Sequence, residues 1–132
     1  MNSEDSPPRP LLVVDGANVV GSVPDGWWRD RRGAAERLRD RLAATGGPAD
    51  GPYPPPYEIV LVVEGRARGI PSVPGVRVEE APGSGDDLIT ELARNANGRP
   101  CLVVTADREL RRRVTEEGAR CTGPRSVLQP PT

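Results

Sequence analysis

The sequence predicts an α/β fold built on a mainly parallel β-sheet of about five strands. Three of the predicted strands, at residues 11–15, 58–63 and 101–105, consist almost entirely of consecutive apolar residues. Uninterrupted apolar runs of this length are typical of strands that are buried on both faces of a parallel sheet. Segments with the apolar spacing of helices separate these runs. This alternation predicts parallel strands that are joined by crossover connections.

The first half of the chain is predicted to contain one strand and one long helix before a loop. A polar, Pro-rich segment at residues 1–10 is expected to be disordered, and strand 11–15 begins the folded domain. Residues 21–26 are predicted to form a loop. A helix is predicted over residues 27–44, because its apolar residues share one helical face. These apolar residues are Ala34, Ala35, Leu38 and Leu42.

The second half begins with a loop at residues 46–57, where Gly and Pro are too dense for a helix or a strand. The elements predicted after this loop are strand 58–63, a short strand at 76–78, a helix at 84–96, strand 101–105, a helix at 108–117 and a short strand at 119–122. The predicted domain therefore covers residues 11–123, and residues 124–132 are expected to form a loose tail.

The composition limits the chemistry that the chain can perform. The 132 residues include no His, no Lys and no Phe, and the formal net charge is −1. The absence of His excludes Ser-His and Cys-His catalysis and zinc binding through His. The two cysteines lack a Cys-x-x-Cys spacing, and we expect both to be small buried side chains in a reducing compartment. Any catalysis must therefore rely on carboxylates.

No segment of the sequence has the pattern of a secretion signal or a membrane span. The apolar runs are far shorter than the roughly 20 residues that a transmembrane helix needs. The near-neutral net charge argues against bulk electrostatic attraction to nucleic acid, although local Arg patches can still bind it. We expect a cytoplasmic protein without a membrane partner, and the sequence does not predict an oligomeric state.

Trp27 and Trp28 stand at the start of the predicted 27–44 helix, and two roles are open to them. They could cover the core, or they could form an exposed surface on which rings stack. Large aromatic side chains are more often buried than exposed. We therefore expect the pair to belong to the core.

Carboxylates follow three of the predicted strands. Asp15 ends strand 11–15, Glu64 follows strand 58–63, and Asp107 follows strand 101–105. A further acidic pair, Asp86 and Asp87, begins the helix after the short strand 76–78. The carboxyl ends of parallel strands meet at one edge of a sheet, which is where such folds bind ligands. We therefore expect these acids to converge on one site.

A cluster of this kind indicates a divalent metal site. Like charges that are packed together raise one another's pKa values, so a cation is needed to stabilise them. Carboxylate oxygens without His or Cys favour Mg²⁺ or Mn²⁺, and one or two such ions can activate water and hold a phosphodiester. Taken singly, the residues have structural alternatives: helix capping for Asp86, Asp87 and Asp107, solvation for Glu64 and Glu109, and a turn for Asn18.

Four motifs resemble those of the NYN (YacP-like) branch of the PIN-like nucleases and of the related flap endonucleases. VVDGANVVGS resembles the NYN opening, which begins with Asp-Gly-x-Asn. VVEGRARG resembles the motif of the second strand, which more often carries Asp at the position of Glu64. GSGDDLITELA resembles the paired-aspartate helix start of flap endonucleases. VVTADRELRRRV resembles their Thr-x-Asp-x-Asp-Leu motif, with Glu109 in place of the second Asp. The resemblance covers residues 11–122.

The resemblance implies a PIN-like three-layer α/β/α sandwich with strand order 3-2-1-4-5 and a metal-dependent nuclease site. It implies that the catalytic metal ligands are Asp15, Asp86, Asp87 and Asp107, and it leaves open which member of the Asp pair dominates. Glu64 would complete the set directly or through water, with Asn18, Thr105 and Glu109 in support. The Glu-for-Asp changes and the short Gly69–Gly75 segment would reduce activity or open the substrate channel.

The leading functional hypothesis is a Mg²⁺- or Mn²⁺-dependent ribonuclease that acts on single-stranded or structured RNA. Arg66, Arg68 and Arg108 are the candidates for RNA-phosphate contacts. One alternative is a PIN-like module that binds RNA or a protein with little catalysis. A Toprim-like nucleic-acid enzyme is the other, but it leaves the Asp-Gly-x-Asn opening unexplained. A dinucleotide-binding Rossmann fold is excluded, because no Gly-x-Gly-x-x-Gly follows the first strand.

Overall fold

The computed structural model describes residues 9–67 and 69–128, apart from the side chain of Arg66, and its strands form one sheet. All pairings between the strands are parallel, and the order across the sheet is β3-β2-β1-β4-β5. The strands are β1 (Leu11–Asp15), β2 (Glu58–Val63), β3 (Val76–Glu80), β4 (Cys101–Val104) and β5 (Arg120–Thr122). The predicted parallel sheet and its strand order are both confirmed.

β1 is the central strand, and all five of its residues are buried. Val13 is paired with Val60 of β2 on one side and with Val103 of β4 on the other. Each fully buried Val or Leu side chain contributes roughly 1.5–3 kcal/mol to folding. Because β1 is held by this packing on both faces and both edges, the residue at its carboxyl end has a fixed position.

Helices cover both faces of the sheet, so the predicted three-layer α/β/α arrangement is confirmed. Leu12 and Val14 of β1 pack into one core layer, and Leu11 and Val13 pack into the other. The helices that contribute to the first layer are α1 (Gly16–Gly21), α2 (Arg31–Thr45) and α5 (Arg125–Leu128). The second layer contains residues of α3 (Gly85–Arg94) and α4 (Arg108–Glu116).

Two helix starts differ from the prediction, and in both cases an aspartate cap explains the difference. α1 is not predicted from the sequence, because its six residues are too few for a clear helical period; Asp15 caps it by accepting a hydrogen bond from the Asn18 amide. The predicted helix 27–44 is divided into a 3-10 turn at Trp27–Arg29 and α2. The Asp30 Oδ1 atom accepts from the Gly33 amide at 2.9 Å, and this bond starts α2 at Arg31.

The connection from β2 to β3 contains a 3-10 turn at Gly65–Ala67 and no α-helix among its described residues. Two arginines of α2 hold it in place. The guanidinium of Arg32 donates to the Gly69 carbonyl and that of Arg39 to the Pro71 carbonyl, each at 3.0 Å. Residues 69–75 form no helix, as this short, Pro-rich segment predicts.

The C-terminal segment is more ordered than the sequence predicts. The prediction of a loose tail after residue 123 is wrong for Arg125–Leu128, which form α5. Val127 is buried in the first core layer, and Arg41 of α2 donates to the Leu128 carbonyl. The burial of Val127, the packing of Leu128 against the same layer and the cap by a distant residue hold this short helix, and none of them is visible as a local period.

The folded part includes Pro10, which is buried and accepts a hydrogen bond from the Glu58 amide at 2.9 Å. The exposed Arg9 before it accepts a hydrogen bond from the Arg99 side chain at its carbonyl. These contacts correct the expected limit of the disordered segment 1–10 at its last two residues. Residues 1–8, residues 129–132 and Arg68 lie outside the described residues, so the predictions for them stay predictions.

The two tryptophans do not belong to the core, and the expectation that they do is wrong. Trp27 is partly exposed and Trp28 is 54% exposed, with the two rings in an edge-to-face arrangement at 6.2 Å between centroids. Because Asp30 starts α2 after the pair, both rings lie in a surface turn. Of the cysteines, Cys101 is buried as expected, whereas Cys121 is only partly buried; both are free thiols.

In the part of the chain that the structure describes, no helix combines the length and the apolar character that are needed to cross a membrane.

Gly16 explains why a glycine follows Asp15. A Cβ atom at this position would lie 2.5 Å from the carbonyl oxygen of Val62 and 3.3 Å from a methyl group of Leu61. The first of these atoms belongs to the backbone of the neighbouring strand β2 and cannot rotate away. Only glycine lets α1 start this close to the sheet.

We predict that Gly16→Ala lowers the free energy of unfolding by about 1–3 kcal/mol, as over-packing against a rigid backbone does. Chemical denaturation measures this change. Gly83→Ala is the matched control, since a Cβ there meets no atom within 4 Å and the backbone has no positive φ. Equal stability of the Gly16→Ala variant and the wild type would contradict the close packing of α1 on β2.

Candidate active site

The carboxyl ends of β1 and β4 are joined through the Asp15 carboxylate. The Thr105 hydroxyl, immediately after β4, donates to Asp15 Oδ2 at 2.8 Å, and the Asn18 amide donates to Asp15 Oδ1 at 3.3 Å. Asp15 is only 6% exposed and Thr105 is fully buried. Each carboxylate oxygen keeps a second lone pair, so Asp15 can still accept bonds from the edge of the sheet.

Asn18 forms a second connection between the same two strand ends. Its side-chain Oδ1 accepts a hydrogen bond from the Ala106 amide at 2.9 Å. Asn18 thus contacts Asp15 through its backbone amide and the loop after β4 through its side chain. The Asp-Gly-x-Asn spacing therefore has a structural explanation in each of its three defined residues.

Asp107 follows in the same loop and caps α4. Its Oδ1 atom accepts from the Leu110 amide at 2.9 Å, and its own amide donates to the Thr105 hydroxyl at 3.1 Å. The helix-capping alternative for Asp107 is thus correct as geometry. It leaves Oδ2 without a hydrogen bond to any described residue, so capping and ligand binding are compatible.

Glu64, at the carboxyl end of β2, holds the start of α3. Its Oε2 atom accepts a hydrogen bond from the Gly85 amide, and a Cβ at residue 85 would lie 2.8 Å from that oxygen. Gly85 has no predicted role in the sequence pattern. Its position directly before the two aspartates was the available signal, because a small residue allows the helix N-terminus to approach the strand end.

Four carboxylates, those of Asp15, Glu64, Asp86 and Asp107, form one electrostatic group that we call the acidic cluster. Burial raises the pKa of Asp15, and the charges of Asp86 and Glu64 raise it further against the hydrogen bonds from Thr105 and Asn18. Burial also raises the pKa of Asp86, with further increases from Asp107, Glu64 and, more weakly, the adjacent Asp87, which Arg113 partly opposes. Asp86 therefore interacts with all three other members.

Two of the predicted acids are directed towards arginines. Asp87 has an 87% exposed side chain and pairs with Arg113 at 2.9 Å, so the two neighbouring aspartates of α3 have different surroundings. Glu109 is paired with Arg112 on the exposed side of α4, and this partner lowers the pKa of Glu109. The structure thus brings Asp86 into the acidic cluster and places Asp87 and Glu109 in surface ion pairs.

The predicted phosphate contacts have a less defined place. Arg108 is exposed at the first position of α4, directly after Asp107. The side chain of Arg66 and the whole of Arg68 lie outside what the structure describes. Contacts of these three arginines with RNA phosphates stay predictions.

The acidic cluster suits a hard divalent cation by its chemistry, although its side chains do not enclose one as they stand. Within residues 9–67 and 69–128, no three acidic or Cys side chains are arranged so that they could hold a metal ion. The Asp86 carboxylate accepts no hydrogen bond from a described residue, and burial together with like charges raises its pKa. A cation would relieve both effects, and all the donors are oxygens of the kind that Mg²⁺ and Mn²⁺ prefer.

Replacement of Thr105 tests the central contact of this site. We predict that Thr105→Val lowers the free energy of unfolding at pH 7 by about 1–3 kcal/mol, because the buried Asp15 loses its hydroxyl donor and the Asp107 amide loses its acceptor. The Thr105 bond lowers the pKa of Asp15, so its loss raises that pKa further. Charged Asp15 is then disfavoured more strongly in the folded state. The destabilisation should therefore be larger at pH 7 than near pH 4, where Asp15 is closer to neutral.

The controls for this measurement are Thr105→Ser, which keeps the hydroxyl and should restore stability, and Thr90→Val. Thr90 is also buried, but its hydroxyl donates to the backbone carbonyl of Asp86 at 2.7 Å and not to a carboxylate. Its replacement should destabilise equally at both pH values. An equal pH response of the two Val variants would show that Thr105 does not stabilise a charged Asp15.

Comparison with solved structures identifies the fold. No family model matches the chain, and no curated protein sequence matches it. Rae1 (YacP) from Bacillus subtilis matches with a TM-score of 0.68 and 22% sequence identity, over 89% of this chain and 71% of that chain. Its W164L mutant matches with a TM-score of 0.68 and 21% identity, over 90% of this chain and 72% of that chain. The chain therefore has the YacP-like NYN fold that the motif resemblance implies.

Proposed function

We propose that this protein is a divalent-metal-dependent ribonuclease that hydrolyses RNA phosphodiester bonds at the acidic cluster. The observation that carries the proposal is the burial of Asp15 beside Asp86 and Glu64 at the carboxyl edge of the sheet, where burial and like charge raise the pKa of Asp15. An arrangement that destabilises the charged form of a carboxylate is characteristic of functional sites. The fold of Rae1 (YacP) and the four motifs support the same activity.

In this proposal the residues of the site are of two kinds, metal ligands and residues that position those ligands. Asp15, Asp86 and Asp107 would hold the metal, with Glu64 beside them directly or through water. The bound metal would supply charge stabilisation for the phosphoryl oxygens and lower the pKa of the attacking water. Thr105 orients the Asp15 carboxylate, and Asn18 keeps the ends of β1 and β4 at a constant separation. These positioning residues determine how far apart the ligands lie before any substrate binds.

A module that binds RNA with little catalysis is the second candidate, and one observation favours it. The acids of the described chain do not form a three-ligand metal group as they stand. In this alternative, the main task of Glu64 and Asp107 would be to accept the hydrogen bonds from the Gly85 amide and the Leu110 amide. A Toprim-like enzyme is less well supported, since Asn18 and Gly16 have defined structural roles in the NYN-type opening.

We predict cleavage of single-stranded RNA in the presence of Mn²⁺ or Mg²⁺ and its complete loss in EDTA. Asp15→Asn, Asp86→Asn and Asp107→Asn should each lower kcat/KM by about a hundredfold or more, because each removes a ligand charge from the acidic cluster. Gel analysis of a labelled oligonucleotide measures the rates.

Asp87→Asn is the matched control, because Asp87 is adjacent to Asp86 in sequence but pairs with Arg113 at the surface. It should retain activity within about threefold of the wild type, by the small energy of exposed ion pairs. Loss of activity in Asp87→Asn with full activity in Asp86→Asn would show that the other member of the pair is the ligand. RNA binding without cleavage under any divalent metal would refute the enzyme and leave the binding module.

A further inference from the structure

A small pocket lies beside the acidic cluster and shares residues with it. Its volume is about 210 Å³, below the roughly 300–1,000 Å³ that drug-sized ligands occupy, so it can hold one planar ring system. Gly16 and Glu64 form the side that adjoins the cluster. We call it the Trp27 pocket; its principal lining residues are Gly16, Ala17, Trp27, Arg31, Val63 and Glu64.

The lining of the Trp27 pocket combines an apolar surface with an aromatic ring. Ala17, Ala35 and Val63 contribute aliphatic atoms, and Trp27 adds its indole ring from the turn that precedes α2. The chain has only two tryptophans and no Phe, and yet the Trp27 ring is partly exposed and not used to fill the core. An aromatic ring beside an apolar surface suits a flat heterocycle, which gains both stacking and burial.

Positive charge accompanies both tryptophans. The guanidinium carbon of Arg31 lies 5.4 Å from the Trp27 ring centroid, and that of Arg29 lies 5.8 Å from the Trp28 ring centroid. Neither arginine has an acidic partner among the residues that the structure describes. Their charges are therefore available to phosphate, whereas the neighbouring Arg32 is already engaged with Glu36 and the Gly69 carbonyl.

We propose that the Trp27 pocket binds one unstacked nucleobase of the RNA strand whose backbone crosses the acidic cluster, with Arg31 on an adjoining phosphate. This inference rests on the proposed function for the identity of the polymer. The pocket and the cluster meet at Gly16 and Glu64, so a base in one and a phosphate in the other belong to the same short stretch of chain. A base enters such a pocket only when it is free of its partner strand, which makes single-stranded RNA the preferred substrate.

Intrinsic fluorescence provides a direct test, since Trp27 and Trp28 are the only tryptophans in the sequence. In Trp28→Phe, Trp27 is the only emitter. We expect a single-stranded RNA oligonucleotide, titrated in Mg²⁺ and again in EDTA, to quench this emission. Inorganic polyphosphate, which has the backbone charge without bases, should not. A duplex of the same sequence should need at least about tenfold more RNA for the same effect.

Variants separate stacking from charge. Trp27→Leu should weaken binding of single-stranded RNA by about tenfold, and Trp27→Phe should restore most of it, because a phenyl ring still stacks. Arg31→Gln should weaken binding and reduce its dependence on salt. Arg37→Gln is the matched control on the exposed side of the same helix and should bind as the wild type does. Circular dichroism establishes that each variant is folded.

Several outcomes would overturn the inference. Quenching by polyphosphate as strong as that by RNA would mean that the backbone alone is recognised. Unchanged RNA affinity in both Trp27→Leu and Arg31→Gln would refute the base-binding role of the pocket. If RNA is still cleaved, only the proposed nuclease function would remain supported. Quenching of Trp27 without cleavage under any metal would support the pocket and refute the nuclease. Absence of both binding and cleavage would refute both.

Discussion

The hydrogen bond from Thr105 to Asp15 is the contact on which the candidate site depends. It joins the carboxyl ends of the two strands at the centre of the sheet, and both of its partners are buried. The same hydroxyl accepts a hydrogen bond from the Asp107 amide, so Thr105 determines the relative positions of Asp15 and Asp107. The hydrogen bond from the Ala106 amide to the Asn18 side chain repeats the connection on the solvent side. Since β1 and β4 are packed on both faces, the rigidity of the core is passed on to the site.

This rigidity has a cost in stability. The fold brings Asp15 and Asp86 close to other carboxylates, and the pKa of each is raised by burial first and by these charges second. A protein that was selected for stability alone would place apolar or oppositely charged groups here. Arg113 offsets only part of the repulsion at Asp86. Unfavourable arrangements, such as partly buried carboxylates of like charge, are found mainly at functional sites, and this chain has one at this edge of the sheet.

The surface next to the acidic cluster has the opposite character. Trp27 and Arg31 line the Trp27 pocket together with Gly16 and Glu64, so an aromatic ring and a cation adjoin the acidic cluster. The absence of a side chain at Gly16 has two consequences. It lets α1, which carries Asn18, start close to β2, and Gly16 itself lines the Trp27 pocket. A single glycine thus contributes to both parts of the proposed RNA-binding surface.

The sequence by itself determined the sheet and the position of the acids along it. Fully buried strands must be continuous apolar runs, and carboxyl ends of parallel strands must share one edge, so Asp15, Glu64 and Asp107 could be placed together without coordinates. The family resemblance supplied the strand order.

The tertiary structure decided the rest. The sequence could not distinguish the roles of Asp86 and Asp87, because these depend on how α3 is placed against β2, where the Gly85 amide donates a hydrogen bond to Glu64. It missed α5 and misplaced Trp27 for a related reason. A four-residue helix that packs only through Val127 and Leu128 leaves no periodic pattern, and neither does a ring that stays outside the core because α2 starts after it at the Asp30 cap. The spacing of apolar residues shows which face of a helix or strand is buried. It does not show which distant residues that element contacts, because those contacts form only when the chain is folded.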